Sequence, residues 1–219
     1  MSVRILNEAE ASEHAALLKC RRCPALRHQF AKLRMTYPGF WNLPVVPSGP
    51  STAPLLIVGL APGLHGANRT GVPFEGDASG NLLQAALERL NLVGQVRITN
   101  VLKCLPRQNK PTTAELNRCH GYIEQELIDF TGQGGRAIFA VGRVAHERVL
   151  KALGFKQSAF AFAHGAVHEL PGPLWLIDTY HCSRYNTQTG RITPAMFEAA
   201  LSCAASLAVA SLALMQAIS

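Results

Sequence analysis

The sequence predicts an α/β fold in three layers (α/β/α), with a central four-stranded parallel sheet between helices. Short apolar runs rich in Val, Ile and Leu are typical of strands that are buried on both faces. Four such runs occur, at Leu55–Leu60, Val96–Leu102, Ala137–Val141 and Leu174–Asp178. Helical patterns separate them, and this alternation indicates an open parallel sheet with helices on both faces.

Three helical segments lie between the strands, at Asn81–Leu90, Thr113–Phe130 and Val144–Leu153. Thr112 or Thr113 can cap the middle one, because a hydroxyl oxygen accepts a hydrogen bond from a free N–H of the first turn. Glu115 in that turn complements the helix dipole.

The 219 residues are expected to form a single domain over residues 1–219, a length that allows a full hydrophobic core. Apolar residues make up 48% of the chain and charged residues 16%, which favours a globular protein over a disordered one. Prolines recur between Lys32 and Pro54 and predict a long irregular surface loop there.

The last part of the chain predicts an apolar, Ala-rich helix at about residues 195–218. Residues 199–218 carry no charge, and their length alone would allow a membrane span. Several serines and the lack of flanking Trp or Tyr weaken that alternative. We expect a terminal helix packed on the domain or on a neighbour, and no membrane.

Positive charge is concentrated in two segments of a chain whose net charge is +7. Residues 19–34 hold six Lys or Arg and no acid, and residues 97–118 hold five against Glu115. Such segments are either a solvated face or a contact surface for nucleic acid. The first residues lack the apolar region of a signal peptide, which predicts a reducing compartment and free thiols.

Four cysteines form two groups near these basic segments: Cys20 and Cys23, then Cys104 and Cys119. One turn can direct the first two sulfurs at one metal, and the second pair is wider than is usual in a zinc ribbon. The spacing therefore leaves zinc and an iron–sulfur cluster both open. Buried thiols without a metal are the remaining alternative.

Three polar motifs follow predicted strands or precede predicted helices. Gly59–Gly63 ends the first strand, where glycines allow a ligand to approach the backbone, although an ordinary tight turn would look the same. Residues 71–80 hold Phe74 and Asp77; Asp77 can cap the next helix and Phe74 can belong to the core. Residues 181–186 follow the last strand and carry His181.

A thiol nucleophile activated by His181 is a possible reading of His181 and Cys182. Adjacent residues of an extended chain point to opposite sides, however, so the pairing is unfavourable. No Gly-x-Ser-x-Gly elbow is present to support a serine hydrolase.

Taken together, these motifs resemble the uracil-DNA glycosylase superfamily, and most closely its family 5, whose members carry an iron–sulfur cluster. The matching elements are Gly59–Gly63, Pro73–Asp77, Thr99–Cys104 with Asn109–Pro111, and His181-x-Ser183-x-x-Asn186. Related families carry an acid at the second place of the first motif, where this chain has Leu60. Glu75 and Cys182 also depart from the family pattern.

The resemblance implies a role for each matched residue. Asp77 would be the catalytic carboxylate, Asn100 and His181 would act on the base, and Phe74 would stack on it. The backbone at Gly59, Ala61 and Gly63 would bind the substrate. Arg184 and Tyr185 would fill the gap left by a flipped base, and the four cysteines would hold a [4Fe–4S] cluster with a structural role.

The implied protein is a monofunctional, monomeric glycosylase that acts on DNA containing uracil, with hypoxanthine and xanthine as further candidate bases, in the bacterial cytoplasm near the nucleoid. Two alternatives stay open. A non-catalytic metal-containing nucleic-acid-binding module would share the charge and cysteines but would not need Asp77 or His181. A nucleoside hydrolase would turn over free nucleosides.

Overall fold

Five strands form the central sheet in the computed structural model, which describes residues 3–216 and side chains as far as Ser211. They are β1 (Leu55–Gly59), β2 (Arg97–Asn100), β3 (Ala137–Val141), β4 (Val167–Leu170) and β5 (Leu174–Thr179). The order across the sheet is β2-β1-β3-β5-β4. All neighbours pair in parallel except β4, which pairs antiparallel with β5.

The predicted α/β/α class is confirmed, and the predicted strand count of four is wrong. The four predicted runs correspond to β1, β2, β3 and β5, with β2 shorter than expected. The fifth strand, β4, lies at an edge and has exposed, half-buried, exposed and buried residues in turn. An edge strand that is open to solvent does not show the continuous apolar run of a buried strand.

The helices precede and connect these strands. They are α1 (Glu8–Glu13), α2 (Ala15–Leu18), α3 (Pro24–Thr36), α4 (Ala67–Thr70), α5 (Ala78–Arg89), α6 (Thr113–Gly132), α7 (Arg143–Ala152), α8 (Arg184–Gln188) and α9 (Pro194–Gln216), with 3₁₀ turns at Arg107–Asn109 and Gln157–Ala159.

The sheet separates two hydrophobic cores. On one face α5 and α9 pack against inward residues such as Ile57, Phe139 and Ile177. On the other face α6 and α7 pack against Val58 and Leu176. Both faces are therefore covered, and functional groups are left to the loops beyond the strand ends.

The irregular loop is shorter than predicted. Helix α3 begins at Pro24 and continues to Thr36, so the segment from Lys32 to Thr36 is helical instead of irregular. The side chains of Leu26 and Phe30 are buried on one side of this otherwise basic helix. The expected start of α6 is confirmed: Thr112 is the N-cap, and Thr112 and Glu115 form a reciprocal capping box.

The C-terminal helix α9 lies along the sheet. Phe197, Leu201, Ala204 and Ala208 recur every three or four residues and are fully buried in the first core. Trp175 Nε1 donates to Ser211 Oγ at 3.0 Å. By length and composition, Pro194–Ser211 is also apolar enough to cross a membrane. The predicted helix to about residue 218 extends beyond the described residues, which end at Gln216.

Candidate active site

A cavity of about 220 Å³ lies beyond the carboxyl ends of β1, β2 and β5. β2 and β3 flank β1 on opposite sides, so the chain reverses its direction across the sheet at β1, and open α/β folds bind ligands at such a point. The cavity is lined by Leu60, Ala61, Pro62, Gly63, Ala67, Phe74, Asp77, Ser79, Asn100, Asn109 and His181.

Six residues that the sequence assigned to the site therefore share one cavity: Ala61, Gly63, Phe74, Asp77, Asn100 and His181. Asn109 also lines it and had no assigned role. It is the last residue of the 3₁₀ turn and has a left-handed conformation (φ 57°). Its place in the matched motif was the only sequence signal, since a loop residue shows no periodicity.

Gly59 makes room for two of these side chains. A Cβ on Gly59 would lie 2.5 Å from Asn100 Oδ1 and 2.5 Å from the ring of Phe74. A Cβ atom essentially never makes non-bonded contacts this short. Any other residue at position 59 would therefore displace the ring, the amide or both. Gly59 thus acts beneath the cavity, by allowing Phe74 and Asn100 to stand side by side.

Phe74 itself adopts a left-handed backbone conformation, with φ at 54°. That conformation is costly for a bulky aromatic residue, and such strain concentrates at functional sites. Gly80 permits it, because a Cβ there would come within 2.2 Å of the carbonyl oxygen of Phe74. Phe74 also packs against the first core, so it belongs to the core and to the wall of the cavity at once.

Asp77 uses its two carboxylate oxygens differently. Oδ1 accepts a hydrogen bond of 3.0 Å from the N–H of Gly80, so Asp77 is the N-cap of α5 as the sequence suggested. Oδ2 lies over the glycines of the preceding loop, where a Cβ on Gly66 would approach it to 2.2 Å and one on Gly63 to 3.0 Å. One residue therefore both fixes the helix and places a carboxylate oxygen at the cavity.

His181 lines the cavity opposite the β1 loop and is half-buried. Burial lowers the pKa of its imidazole below the usual value, and the charge of Asp77 opposes that shift. Asn186 Nδ2 donates to the carbonyl oxygen of His181 at 2.8 Å, which fixes the backbone. The imidazole is therefore neutral at pH 7, with one N–H to donate.

The lowered pKa of His181 makes a prediction for stability. The unfolded chain binds a proton at His181 more readily than the folded chain, so stability is full above pH 6.5 and declines as the pH falls below it. We expect the free energy of unfolding to fall more between pH 7.5 and 5.5 in the wild type than in His181→Gln. Urea titrations at both pH values measure this; equal declines would contradict it.

Cys182 points away from the cavity. Its side chain is 1% exposed within the first core, and burial raises the pKa of its thiol to about 12. The thiol is therefore protonated at neutral pH and separated from His181, which argues against a cysteine nucleophile.

A reciprocal contact joins the first turn of α5 to the loop that follows β5. Ser79 Oγ donates to the carbonyl oxygen of Cys182 at 3.1 Å, and Cys182 Sγ lies 3.7 Å from the carbonyl oxygen of Ser79. The first helical turn after Asp77 is thus bound to the loop that carries His181.

Arg184 and Tyr185 begin the short helix α8, which Ser183 caps through the N–H of Asn186. Both side chains are exposed, Tyr185 to 73%. They are three and four residues after His181. A large exposed aromatic residue beside a cavity is free to contact another molecule.

The four clustered cysteines meet at one place. Cys20 and Cys23 precede α3, Cys104 follows β2 and Cys119 lies on α6, yet all four line a single small cavity. Burial raises the pKa of the Cys104 thiol, and the nearby thiols raise it further. The pKa of Cys119 is also raised by burial, and the backbone N–H of Lys103 donates to its sulfur at 3.4 Å.

The set fits a cysteine-bound metal group, because bringing four thiolates together requires a cation at their centre. Arg22, Arg27 and Arg118 line the same cavity and would offset the negative charge of the thiolates. The fit alone does not distinguish zinc from iron and sulfide.

One residue of the basic segments is not available to a partner. Lys103 is 0% exposed, and its Nζ lies 2.6 Å from both Glu126 Oε2 and Thr99 Oγ1. In contrast, Arg107 and Lys110 are exposed on the loop that carries Asn109. The positive surface of residues 97–118 is therefore smaller than the sequence suggested.

Comparisons with known proteins agree with the matched motifs. The family model described as the uracil DNA glycosylase superfamily matches residues 46–204. The chain is 40% identical over 199 residues to the type-5 uracil-DNA glycosylase of Thermus thermophilus, covering 83% of this chain and 90% of that one. It is 38% identical over 206 residues to the type-5 uracil-DNA glycosylase of Mycobacterium leprae (84% and 90%) and 30% identical over 158 residues to the type-4 uracil-DNA glycosylase of Pyrobaculum aerophilum (71% and 72%).

Proposed function

Because the chain belongs to family 5 of the uracil-DNA glycosylase superfamily and is thus a hydrolase of N-glycosyl bonds, we propose that it removes uracil, hypoxanthine and xanthine from DNA. One observation carries the proposal: a carboxylate, an amide, an imidazole and an aromatic ring converge on one cavity. The enzyme would leave an abasic site and not cut the strand. No lysine lines this cavity within residues 3–216, so no amine is in place to form a Schiff base.

Asp77 would serve the sugar side of the bond. Cleavage of an N-glycosidic bond leaves positive charge on the sugar, which a carboxylate stabilises while it orients or deprotonates the attacking water. Oδ2 is the oxygen for this role, since Oδ1 accepts from Gly80. Leu60 cannot substitute for it, because its side chain has no polar atom.

His181 and Asn100 would serve the base side. The leaving base gains negative charge, which donors held in place stabilise. The neutral imidazole of His181 can donate one N–H, and the buried amide of Asn100 can both donate and accept at the edge of the base. Phe74 would stack on the base. The backbone from Gly59 to Gly63 would contact the base from the floor of the cavity.

A base in duplex DNA must leave the stack to enter this cavity, at a cost of about a few kcal/mol. Arg184 and Tyr185 are exposed next to the His181 loop and would occupy the space that it leaves. Exposed cations at the cysteine cavity and on the Asn109 loop would hold phosphates, so that affinity falls with salt.

Cys20, Cys23, Cys104 and Cys119 would hold a [4Fe–4S] cluster. When bound, the cluster would join the segment before α3 to the segment after β2, which the sheet does not connect. Its role would be structural, because the four cysteines line a cavity that shares no residue with the active-site cavity.

We further propose a monomer that acts in the cytoplasm and near DNA. The regular burial of Phe197, Leu201 and Ala204 supports a helix α9 that packs on its own sheet, not one that spans a membrane. Light scattering at working concentrations would test the monomer.

The activity can be tested with end-labelled oligonucleotides that carry a single uracil, hypoxanthine or xanthine, treated with the enzyme and then with alkali. We expect strand breaks only after alkali. A break without alkali would indicate lyase activity. No break with uracil in single or double strands would reject the proposal.

Free deoxyuridine, assayed for release of uracil, distinguishes the alternatives. A nucleoside hydrolase would cleave it, whereas the proposed enzyme needs the DNA backbone for binding. A non-catalytic module would bind the oligonucleotides and leave every base in place.

Asn100→Ala should discriminate among bases. We expect a greater loss of excision rate with uracil than with hypoxanthine, because the amide would read the edge of a pyrimidine; each lost hydrogen bond to a neutral partner is worth about 0.5–1.5 kcal/mol. Single-turnover rates on matched duplexes measure the difference. Equal losses on all bases would assign Asn100 a structural role beside Phe74 and Gly59.

A further inference from the structure

His146, His168 and Asp178 converge at the side of the sheet that ends in β4, away from both cavities described above. His146 lies on α7, His168 on β4 and Asp178 on β5. His146 Nδ1 is 2.8 Å from Asp178 Oδ1, and His168 Nε2 is 3.1 Å from Asp178 Oδ2. The side chains of His146 and Asp178 are 2% and 0% exposed, and that of His168 is 13% exposed.

The contact made by Nε2, the second ring nitrogen of His146, shows which of the two nitrogens carries a hydrogen. Nε2 lies 3.0 Å from the carbonyl oxygen of Phe160, which can only accept, so Nε2 must donate. In a neutral imidazole, Nδ1 then holds a lone pair. That lone pair faces a carboxylate oxygen of Asp178. Two buried acceptors at this distance repel each other unless a positive charge lies between them.

We propose that this charge is a divalent ion of the zinc class, bound by His146 Nδ1, His168 Nε2 and the carboxylate of Asp178. The ligand atoms all lie within 4.8 Å of one another, so small changes in side-chain torsions would bring all three to one ion. Two imidazoles and a carboxylate suit zinc, with bonds of about 2.0–2.2 Å. A histidine that binds a metal usually donates its other N–H to a carbonyl or carboxylate, as His146 does to Phe160.

The surroundings suit a structural ion. The rings of Phe160 and Phe162 lie 5.7 Å from His168 and 5.5 Å from His146 respectively, between centroids. The ion would join α7 and the edge strand β4 to β5. Its ligand on β5, Asp178, lies three residues before His181. It stabilises the folded chain according to its affinity, because the unfolded chain does not hold the three ligands together.

Zinc binding to the holoprotein tests the proposal directly. The protein with its cysteine-bound group intact is equilibrated with excess zinc chloride, desalted, and analysed for zinc content and by zinc-edge X-ray absorption. We expect one retained zinc per chain with nitrogen and oxygen neighbours at about 2.0–2.2 Å, and a raised melting temperature.

Two variants provide the comparison. His168→Gln removes a ligand from the half-buried edge strand and should weaken zinc binding by more than the roughly 10–100-fold typical of losing an outer hydrogen-bond partner. His164→Gln changes a histidine of the preceding loop that is not among the three proposed ligands and whose Nδ1 lies 3.3 Å from Thr179 Oγ1, and this variant should bind zinc as the wild type does. Far-ultraviolet circular dichroism confirms that both variants are folded.

Three results would overturn the proposal. They are no zinc retained by the wild type, sulfur neighbours at about 2.3 Å that place the zinc on the cysteines, or equal retention by His168→Gln. In the first case a proton on Nδ1, not a metal ion, supplies the positive charge. None of these results bears on uracil excision, so the proposed function is tested separately.

Discussion

Asp77→Asn should slow the excision of uracil by about 10²–10⁴-fold, the usual contribution of a positioned acid or base. The substitution removes the charge but keeps an oxygen that can accept from the N–H of Gly80. Because Asn and Asp are equally good N-caps, the start of α5 and the stability of the protein should be unchanged. Single-turnover excision rates and the melting temperature measure these two effects. Fluorescence anisotropy checks that the affinity for DNA is retained.

Asp77→Ala separates the two roles of the same side chain. It should lose the activity to a similar extent and also lose about 1 kcal/mol of stability with the cap. If Asp77→Asn excised uracil at nearly the wild-type rate, the carboxylate would be a cap only, and the catalytic group would have to be sought elsewhere in the cavity.

Cys23→Ser should remove the proposed [4Fe–4S] cluster and, with it, most of the affinity for DNA. Cys23 is half-buried in the loop before α3, so the substitution leaves both hydrophobic cores unchanged. Without the cluster, the segment with Arg21 and Arg22 would keep only noncovalent contacts to its neighbours, such as the 3.2 Å hydrogen bond from Gln29 Nε2 to the carbonyl oxygen of Leu105, and would be held less firmly near the segment after β2. Each phosphate contact that is lost reduces the slope of log affinity against log salt by about 0.9.

The measurements are visible absorbance, iron and sulfide content, and DNA affinity over a range of salt concentrations. Cys203→Ser is the matched control, because Cys203 is exposed on α9 and is not one of the four clustered cysteines. The Cys203→Ser protein should be brown and bind DNA as the wild type does. A colourless wild type that carries zinc after anaerobic purification would replace the cluster with a zinc site. Unchanged affinity and salt slope in Cys23→Ser would reject the bracing role.

The sequence was sufficient for those parts of the fold where one physical constraint dominates. Strands buried on both faces must be apolar throughout, so β1 and β3 were visible as runs of Val, Ile and Leu. The position of the motifs followed, because the carboxyl ends of parallel strands meet at one edge. Edge strand β4 was not visible: Val167–Leu170 alternates polar and apolar residues and carries His168 and Glu169.

The candidate site was predicted by its chemical groups but not by its supports. The left-handed backbone of Phe74 and the space provided by Gly80 depend on contacts between neighbouring loops, which no local pattern encodes. The same holds for Lys103, which the charge count placed on a basic face and which lies buried beside Glu126. A long aliphatic stem can carry its charge inward when an acid is there to meet it.

The mutual contact of Ser79 and Cys182 has a consequence for selectivity. It links the helical turn that follows Asp77, proposed for the sugar side, to the loop that carries His181, proposed for the base side, so a displacement of one segment would be passed to the other. A purine and a pyrimidine would then meet the same pair of groups. On the proposed roles, discrimination between them would depend on Phe74 and Asn100, which stand side by side over Gly59 and leave little room for a larger base.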